Sequence, residues 1–270
     1  MKFPQLIALD MDGTLLDGAG EIPNDFWLLL DRAHKLGVTI APASGRQLAT
    51  LQHMFGTDMS FIAENGTAVF HQGELVSVAA IETTIVNQVL AALADVSVPH
   101  FPIVCTPHKA FIPQELSAEN RAEVEKYYVS NESVSSFDDV IRDNDIIKIA
   151  IFCASGAEEN IAPIIYPAAG DSDVAISGHA WLDVMPAGIN KGMALRNLAS
   201  ALNIPADETA AFGDFLNDFE LLQAAGTAVA MKNAHPKLKE IADIIADSNE
   251  DHGVITMIQR WFDNPASIQP

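Results

Sequence analysis

Asp10-Met11-Asp12-Gly13-Thr14-Leu15-Leu16-Asp17 follows at once on the apolar run Leu6-Ile7-Ala8-Leu9. An apolar run without alternation is what a strand buried on both faces requires. Two aspartates, Asp10 and Asp12, then stand where that strand ends. In an open α/β sheet, ligands bind beyond the carboxyl ends of the strands. Were the strand to continue, the i, i+2 spacing would turn both carboxylates to one face. Carboxylates held together repel, and either a raised pKa or a cation relieves them. A bare DxDG is also what an acidic turn with a flexible glycine looks like. The full DMDGTLLD behind an apolar strand is far more specific.

Working outward, strands and helices alternate. A helix is expected from a cap at Asn24 or Asp25 to Leu36, closed by Gly37, and then strands at Val38–Ala41 and Ser60–Ala63. A hairpin is expected between Ala68–Phe70 and Leu75–Val78, with Gly73 at its turn. The last third repeats the alternation: helix Lys191–Leu202, strand Thr209–Phe212, helix Asp218–Ala225, strands Ala228–Ala230 and Ile244–Ala246, and helix Val254–Phe262. This pattern predicts an α/β fold with a doubly wound parallel sheet of Rossmann-like type. The middle has another texture, with helical patterns (Thr84–Leu93, Ala118–Tyr128, Glu158–Ile165) among strand-like runs (Phe101–Cys105, Ala110–Ile112, Ile146–Cys153, Asp173–Ile176, Trp181–Met185). It reads as an inserted α+β domain over 82–185, splitting a core domain made of 1–81 and 186–270. Asn264 to Pro270 reads as a frayed tail.

Composition narrows the classes of function. The 270 residues are 49% hydrophobic and carry a net charge of −21, which disfavours nucleic acid and anionic membranes as partners. Cys105 and Cys153 sit in apolar runs and read as free buried thiols. The N-terminal apolar run is too short for a signal peptide and no run reaches membrane-span length, so a cytoplasmic protein is expected. An anionic substrate would need local cations to offset the acidic surface. Eight histidines are scattered along the chain, and none is assigned to metal or catalysis.

Further polar groups recur at element ends. Ser44 in Ala43-Ser44-Gly45-Arg46 follows the second strand and precedes a helix expected from Gln47. Its hydroxyl and the N–H groups of Gly45 and Arg46 suit a phosphate, although a lone serine there is more often an N-cap. Arg46 suits a surface salt bridge equally well. Lys191, in Asn190-Lys191-Gly192, opens a helix, where the dipole disfavours a cation; an anionic partner explains it better. Gly213-Asp214-Phe215-Leu216-Asn217-Asp218 follows another strand.

In this order the four segments resemble motifs I to IV of the haloacid dehalogenase superfamily, in particular its Cof-type sugar-phosphatase branch. Glu64-Asn65-Gly66, Ala230-Met231-Lys232-Asn233-Ala234 and the stretch from Ser248-Asn249 to Gly253-Val254 resemble further signatures of that branch. The likeness spans roughly residues 5–81 and 182–262, and the insertion matches the branch's C2-type cap in position and element pattern. The resemblance implies a phosphatase for small phosphorylated metabolites, such as sugar phosphates, acting as a monomer or homodimer. It implies Mg²⁺ held by the Asp10 and Asp214 carboxylates and the Asp12 carbonyl, and phosphoryl transfer to Asp10. Asp12 is then the general acid and base, Lys191 a catalytic cation, Ser44, Gly45 and Asn217 phosphate contacts, and Asp218 a carboxylate orienting Asp214 or a metal-bound water. The cap would close over the site and select the substrate. The chain departs from the branch at Phe215 and Leu216, where glycine and a polar residue are usual, and at Lys232, usually glycine. A phosphomutase of the same fold shares all four motifs. A non-catalytic phosphosugar-binding protein would not need Asp10 and Asp12, and a Rossmann-type nucleotide binder would want GxGxxG where DMDGTLLD stands.

Overall fold

A computed structural model describes residues 2–264; the tail expected at 264–270 falls, apart from Asn264, outside the described residues. Before the middle segment come β1 (Leu6–Leu9), β2 (Thr39–Pro42), β3 (Ser60–Ala63), β4 (Ala68–His71) and β5 (Glu74–Val78). The middle segment supplies β6 (Phe101–Cys105), β7 (Ala110–Pro113), β8 (Asn131–Val134), β9 (Lys148–Phe152), β10 (Asp173–Gly178) and β11 (Trp181–Met185). After it come β12 (Thr209–Gly213), β13 (Thr227–Met231) and β14 (Ile244–Ala246). The chain forms two compact units. One holds the residues up to Gly45, Gly56–Ser77 and those from Asn190 on; the other holds Arg46–Phe55 and Val78–Ile189.

The first unit is built on a five-stranded sheet in the order β14-β13-β12-β1-β2, every neighbouring pair parallel. Its inner strands are buried on both faces, as the unalternating apolar runs require: every residue of β1, β12 and β13 is buried. Because β1 lies between β2 and β12, the chain winds away from it in both directions, and the switch falls at its carboxyl end. Helix Gly253–Asp263 covers the sheet with Trp261, wholly buried, its ring 5.5 Å from that of Phe212. Full burial of each such side chain is worth about 1.5–3 kcal/mol. β3, β4 and β5 form a separate three-stranded sheet, tied to the end of β2 by a parallel bridge from Ala43 to Ile62. The turn between β4 and β5 runs through Gln72 and Gly73, both at positive φ (50° and 85°). That suits the primed turns that match hairpin twist.

The second unit is a six-stranded sheet in the order β10-β11-β9-β6-β7-β8, antiparallel except between β7 and β8. Register sorts its faces. Val104, Ile149, Ile151, Leu182 and Val184 share one core cluster with Val86 and Val89 of helix Thr83–Ala92 and Ile165 of helix Ala162–Ala168. The expected helix Glu158–Ile165 is instead two short helices broken at Ile161 (φ −106°). β8 and the short helix Asp138–Asp143 have no counterpart in the sequence reading. β8 is an edge strand of sequence NESV with no buried residue, so it carries little hydrophobic signal.

Candidate active site

β1 ends at Leu9, one residue before Asp10. The same-face argument for Asp10 and Asp12 therefore does not apply, because the backbone leaves the strand between them. Asp12 (φ −77°, ψ 119°) and Gly13 (φ 81°, ψ −1°) form a type II turn instead. Asp10 is 6% exposed while Asp12 is exposed. Gly13 is required twice over. Its positive φ disfavours other residues, and a Cβ there would lie 2.3 Å from Oδ2 of Asp214.

Lys191 opens helix Lys191–Ala201, whose N-cap Asn190 accepts a hydrogen bond from the Met193 N–H at 2.9 Å. The helix carries the lysine inward, leaving it only 1% exposed. Its Nζ donates to Oδ1 of Asp10 at 2.6 Å and to Oδ1 of Asp218 at 2.7 Å. Gly192 permits that depth: a Cβ there would stand 2.0 Å from the Glu220 carbonyl oxygen. Burial alone would lower the Lys191 pKa, but the two carboxylates outweigh it and the net shift is upward. The dipole penalty noted from sequence is thus met by an anion on each side.

Asp214 follows β12, with Thr14 Oγ1 donating to its Oδ1 at 3.3 Å. Asp218 is wholly buried. Its Oδ2 accepts from the backbone N–H groups of Asp214 (3.1 Å) and Phe215 (3.3 Å), while its Oδ1 takes Lys191. Those bonds occupy both oxygens. Asp10, Asp214 and Asp218 each offer a carboxylate oxygen within 4.8 Å of the others. Burial pushes Asp10 up to about 7 against the pull of Lys191, with Asp218 and Asp214 adding to the rise. Burial, with the nearby Asp218 charge, likewise raises Asp214 to about 6. Three carboxylates facing one ammonium leave an excess of negative charge that a cation would relieve. An all-oxygen donor set suits a hard divalent ion.

Ser44 is buried just beyond β2. Its N–H donates to the Ile62 carbonyl and its carbonyl accepts from the Asn65 N–H, each at 2.9 Å. The Asn65 side chain lies so close to Gly45 that a Cβ there would come within 3.0 Å of its Nδ2. Asn217 is exposed on the helical turn Leu216–Asp218. Arg46 belongs to the second unit, where its guanidinium is 4.0 Å from the Met54 sulfur. The structure thus brings Asp10, Lys191, Asp214 and Asp218 into direct contact, holds Ser44 and Gly45 on the loop after the strand next to β1, and leaves the Asp12 and Asn217 side chains on exposed turns. Sequence reasoning assigned nothing to Thr14, Asn65, Asn233 or Asn249. The last three lie in the quoted branch signatures, which was the one signal available.

A family model for haloacid dehalogenase-like hydrolases matches residues 7–258. The chain belongs to that family, and its motifs and relatives place it in the Cof-type branch. Phosphatase YwpJ of Bacillus subtilis (strain 168) is 29% identical, with 94% of this chain and 99% of that protein covered. The 5-amino-6-(5-phospho-D-ribitylamino)uracil phosphatase YbjI of Escherichia coli (strain K12) is 28% identical, with 97% of each covered. The crystal structure of TM0651 from Thermotoga maritima shares the fold, with a TM-score of 0.85 over 96% of this chain and 97% of that one, at 23% identity.

Proposed function

We propose that this protein is a Mg²⁺-dependent phosphatase that hydrolyses small phosphorylated metabolites through an aspartyl-phosphate on Asp10. The observation that carries the reading is the buried contact of Lys191 with both Asp10 and Asp218, beside Asp214. Asp10 and Asp214, with the Asp12 carbonyl, would hold the ion, which supplies neutralisation of phosphoryl charge when bound. Asp10 attacks phosphorus as the bond to the leaving oxygen breaks, and Asp12 gives that oxygen a proton. Water then attacks the phosphoryl group, Asp12 takes a proton from it, and the Asp10–phosphorus bond breaks to release phosphate. Lys191 keeps Asp10 oriented and offsets charge on the transferred group. Ser44, the Gly45 N–H and Asn217 contact phosphoryl oxygens, and Asp218 orients Asp214 and Lys191.

Among the described residues no helix is long and apolar enough to cross a membrane, and two buried free thiols suit a reducing compartment. We therefore assign the protein to the cytoplasm. One relative is named for a ribitylaminouracil phosphate, so the substrate panel should include phosphorylated heterocycles beside sugar phosphates. Release of free phosphate from such a panel tests the reading, and return of phosphate to the sugar would mark a phosphomutase instead.

Chelation should abolish turnover. Mg²⁺ should restore it and Ca²⁺ should restore little, because Ca²⁺ takes more ligands at longer distances. Full activity in excess chelator would exclude the metal. The insertion, residues 82–185, is assigned as the cap that chooses the leaving group, since the site residues above address only the phosphoryl group and the oxygen bonded to it. Exchange of this segment with that of a relative of different preference should carry the substrate ranking with it. A ranking that stays with residues 1–81 and 186–270 would reject that assignment.

A further inference from the structure

We propose that Asn233 and Asn249 are positioning residues that brace the loop after β1 and fix the direction of the Asp12 carbonyl. The proposal rests on the reading above, in which that carbonyl is a ligand of the divalent ion. Type I and type II turns differ by a flip of the central peptide, here the one joining Asp12 to Gly13. The observed type II geometry therefore sets where the Asp12 oxygen points. Whatever holds the turn holds that oxygen.

Two side-chain amides do so from far along the chain. Asn233 Nδ2 donates to the Gly13 carbonyl at 2.7 Å, and Asn249 Nδ2 donates to the Leu16 carbonyl at 2.9 Å. The two asparagines are themselves linked, since the Asn249 N–H donates to Oδ1 of Asn233 at 3.3 Å. Gly13, Asn233, Asn249 and Leu16 thus form one chain of hydrogen bonds along the second half of the turn and the residues just after it. The segment carrying Asn233 also reaches Asp214, whose carbonyl accepts from the His235 N–H at 2.8 Å. One stretch of backbone consequently registers the Asp12–Gly13 turn against Asp214.

A purely local role does not account for Asn233. The helix that follows, Pro236–Ile241, is capped by His235, whose Nδ1 accepts from the Lys237 N–H at 3.2 Å. Asn233 itself is exposed, and a hydrogen bond at such a place contributes only about 0.5–1.5 kcal/mol to stability. A group with so small a structural stake can still matter greatly to ion binding. Partners that orient metal ligands are worth about 10–100-fold in affinity or activity.

The experiment is a Mg²⁺ titration of wild type, Asn233→Ala and Asn249→Ala, read as the rise in Tm with added ion and, in parallel, as kcat and KM. For Asn233→Ala the Mg²⁺ midpoint should move up about tenfold or more, with Tm in chelator nearly unchanged. At saturating Mg²⁺, kcat should fall while KM holds. Asn249→Ala should shift the midpoint in the same direction by less. An unchanged midpoint in Asn233→Ala, beside a clear wild-type response, overturns the bracing and leaves the phosphatase reading intact. Equal loss of Tm with and without Mg²⁺ marks a merely structural contact and also overturns it. A wild type with no Mg²⁺ response sinks both.

Discussion

Asp10→Asn should reduce turnover to background while the protein stays folded. Asparagine keeps the shape of the side chain, and its Oδ1 can still accept the hydrogen bond that Lys191 gives Asp10 at 2.6 Å. What it loses is the anionic oxygen that the proposed mechanism uses to attack phosphorus. Lys191 also retains Asp218 at 2.7 Å, so the ammonium is not stranded. The fold itself rests on residues such as Leu6–Leu9 and Phe212, which the substitution does not touch. Phosphate release and urea unfolding of the purified variant are the two measurements. Acid-quenched samples of wild type with substrate should carry a phosphoryl group on the peptide containing Asp10, and those of the variant should not. Retention of more than a few per cent of wild-type turnover would rule out covalent catalysis by this residue.

Lys191→Met should damage both activity and stability. Methionine approximates the length of lysine, so steric change is small. The electrostatic change is large, because Asp10 and Asp218 would share a buried site with no cation between them. Breaking a buried pair by removing one partner costs about 3–5 kcal/mol. Turnover should fall about 100- to 1,000-fold, the range for deleting one preorganised electrostatic group. A urea midpoint and a kcat both close to wild type would show that the lysine is neither structural nor catalytic. Mg²⁺ should recover part of the lost stability, since it can take up some of the negative charge.

Legibility differed between the two units for physical reasons. The parallel strands were readable because burial on both faces leaves unbroken apolar runs, as in Leu6–Leu9 and Thr209–Phe212. Lys191 drew notice because a cation at a helix start wants an anionic partner, whereas Asp214 and Asp218 entered only through the motif resemblance. By contrast, Asn131–Val134 pairs on one side only and buries none of its residues fully, so period and hydropathy say little about it. The break at Ile161 was hidden because Ile161 and Ile165 are both buried and continue one apolar stripe. The turn at Asp12–Gly13 could not be foreseen from alternation, because Gly13 owes its place to the Asp214 carboxylate about 200 residues away in sequence. Asn233 and Asn249 escaped for the same reason: their hydrogen bonds run to carbonyls 220 and 233 positions upstream.

The position of β1 between β2 and β12 has a consequence for how the molecule is made. β1 leaves the ribosome long before one of its two hydrogen-bonding partners, which lies at residues 209–213. At about 5–20 residues per second, that edge waits roughly 10–40 s for its partner. During the wait, Leu6–Leu9 presents an unpaired apolar edge of the kind that recruits other nascent chains. The second unit needs nothing beyond Ile189 and can condense in the interval. The last step is then a long-range closure with high contact order, which is intrinsically slow. Lys191 also lies late in the chain, so its buried contact with Asp10 joins segments 181 residues apart and belongs to that same closure.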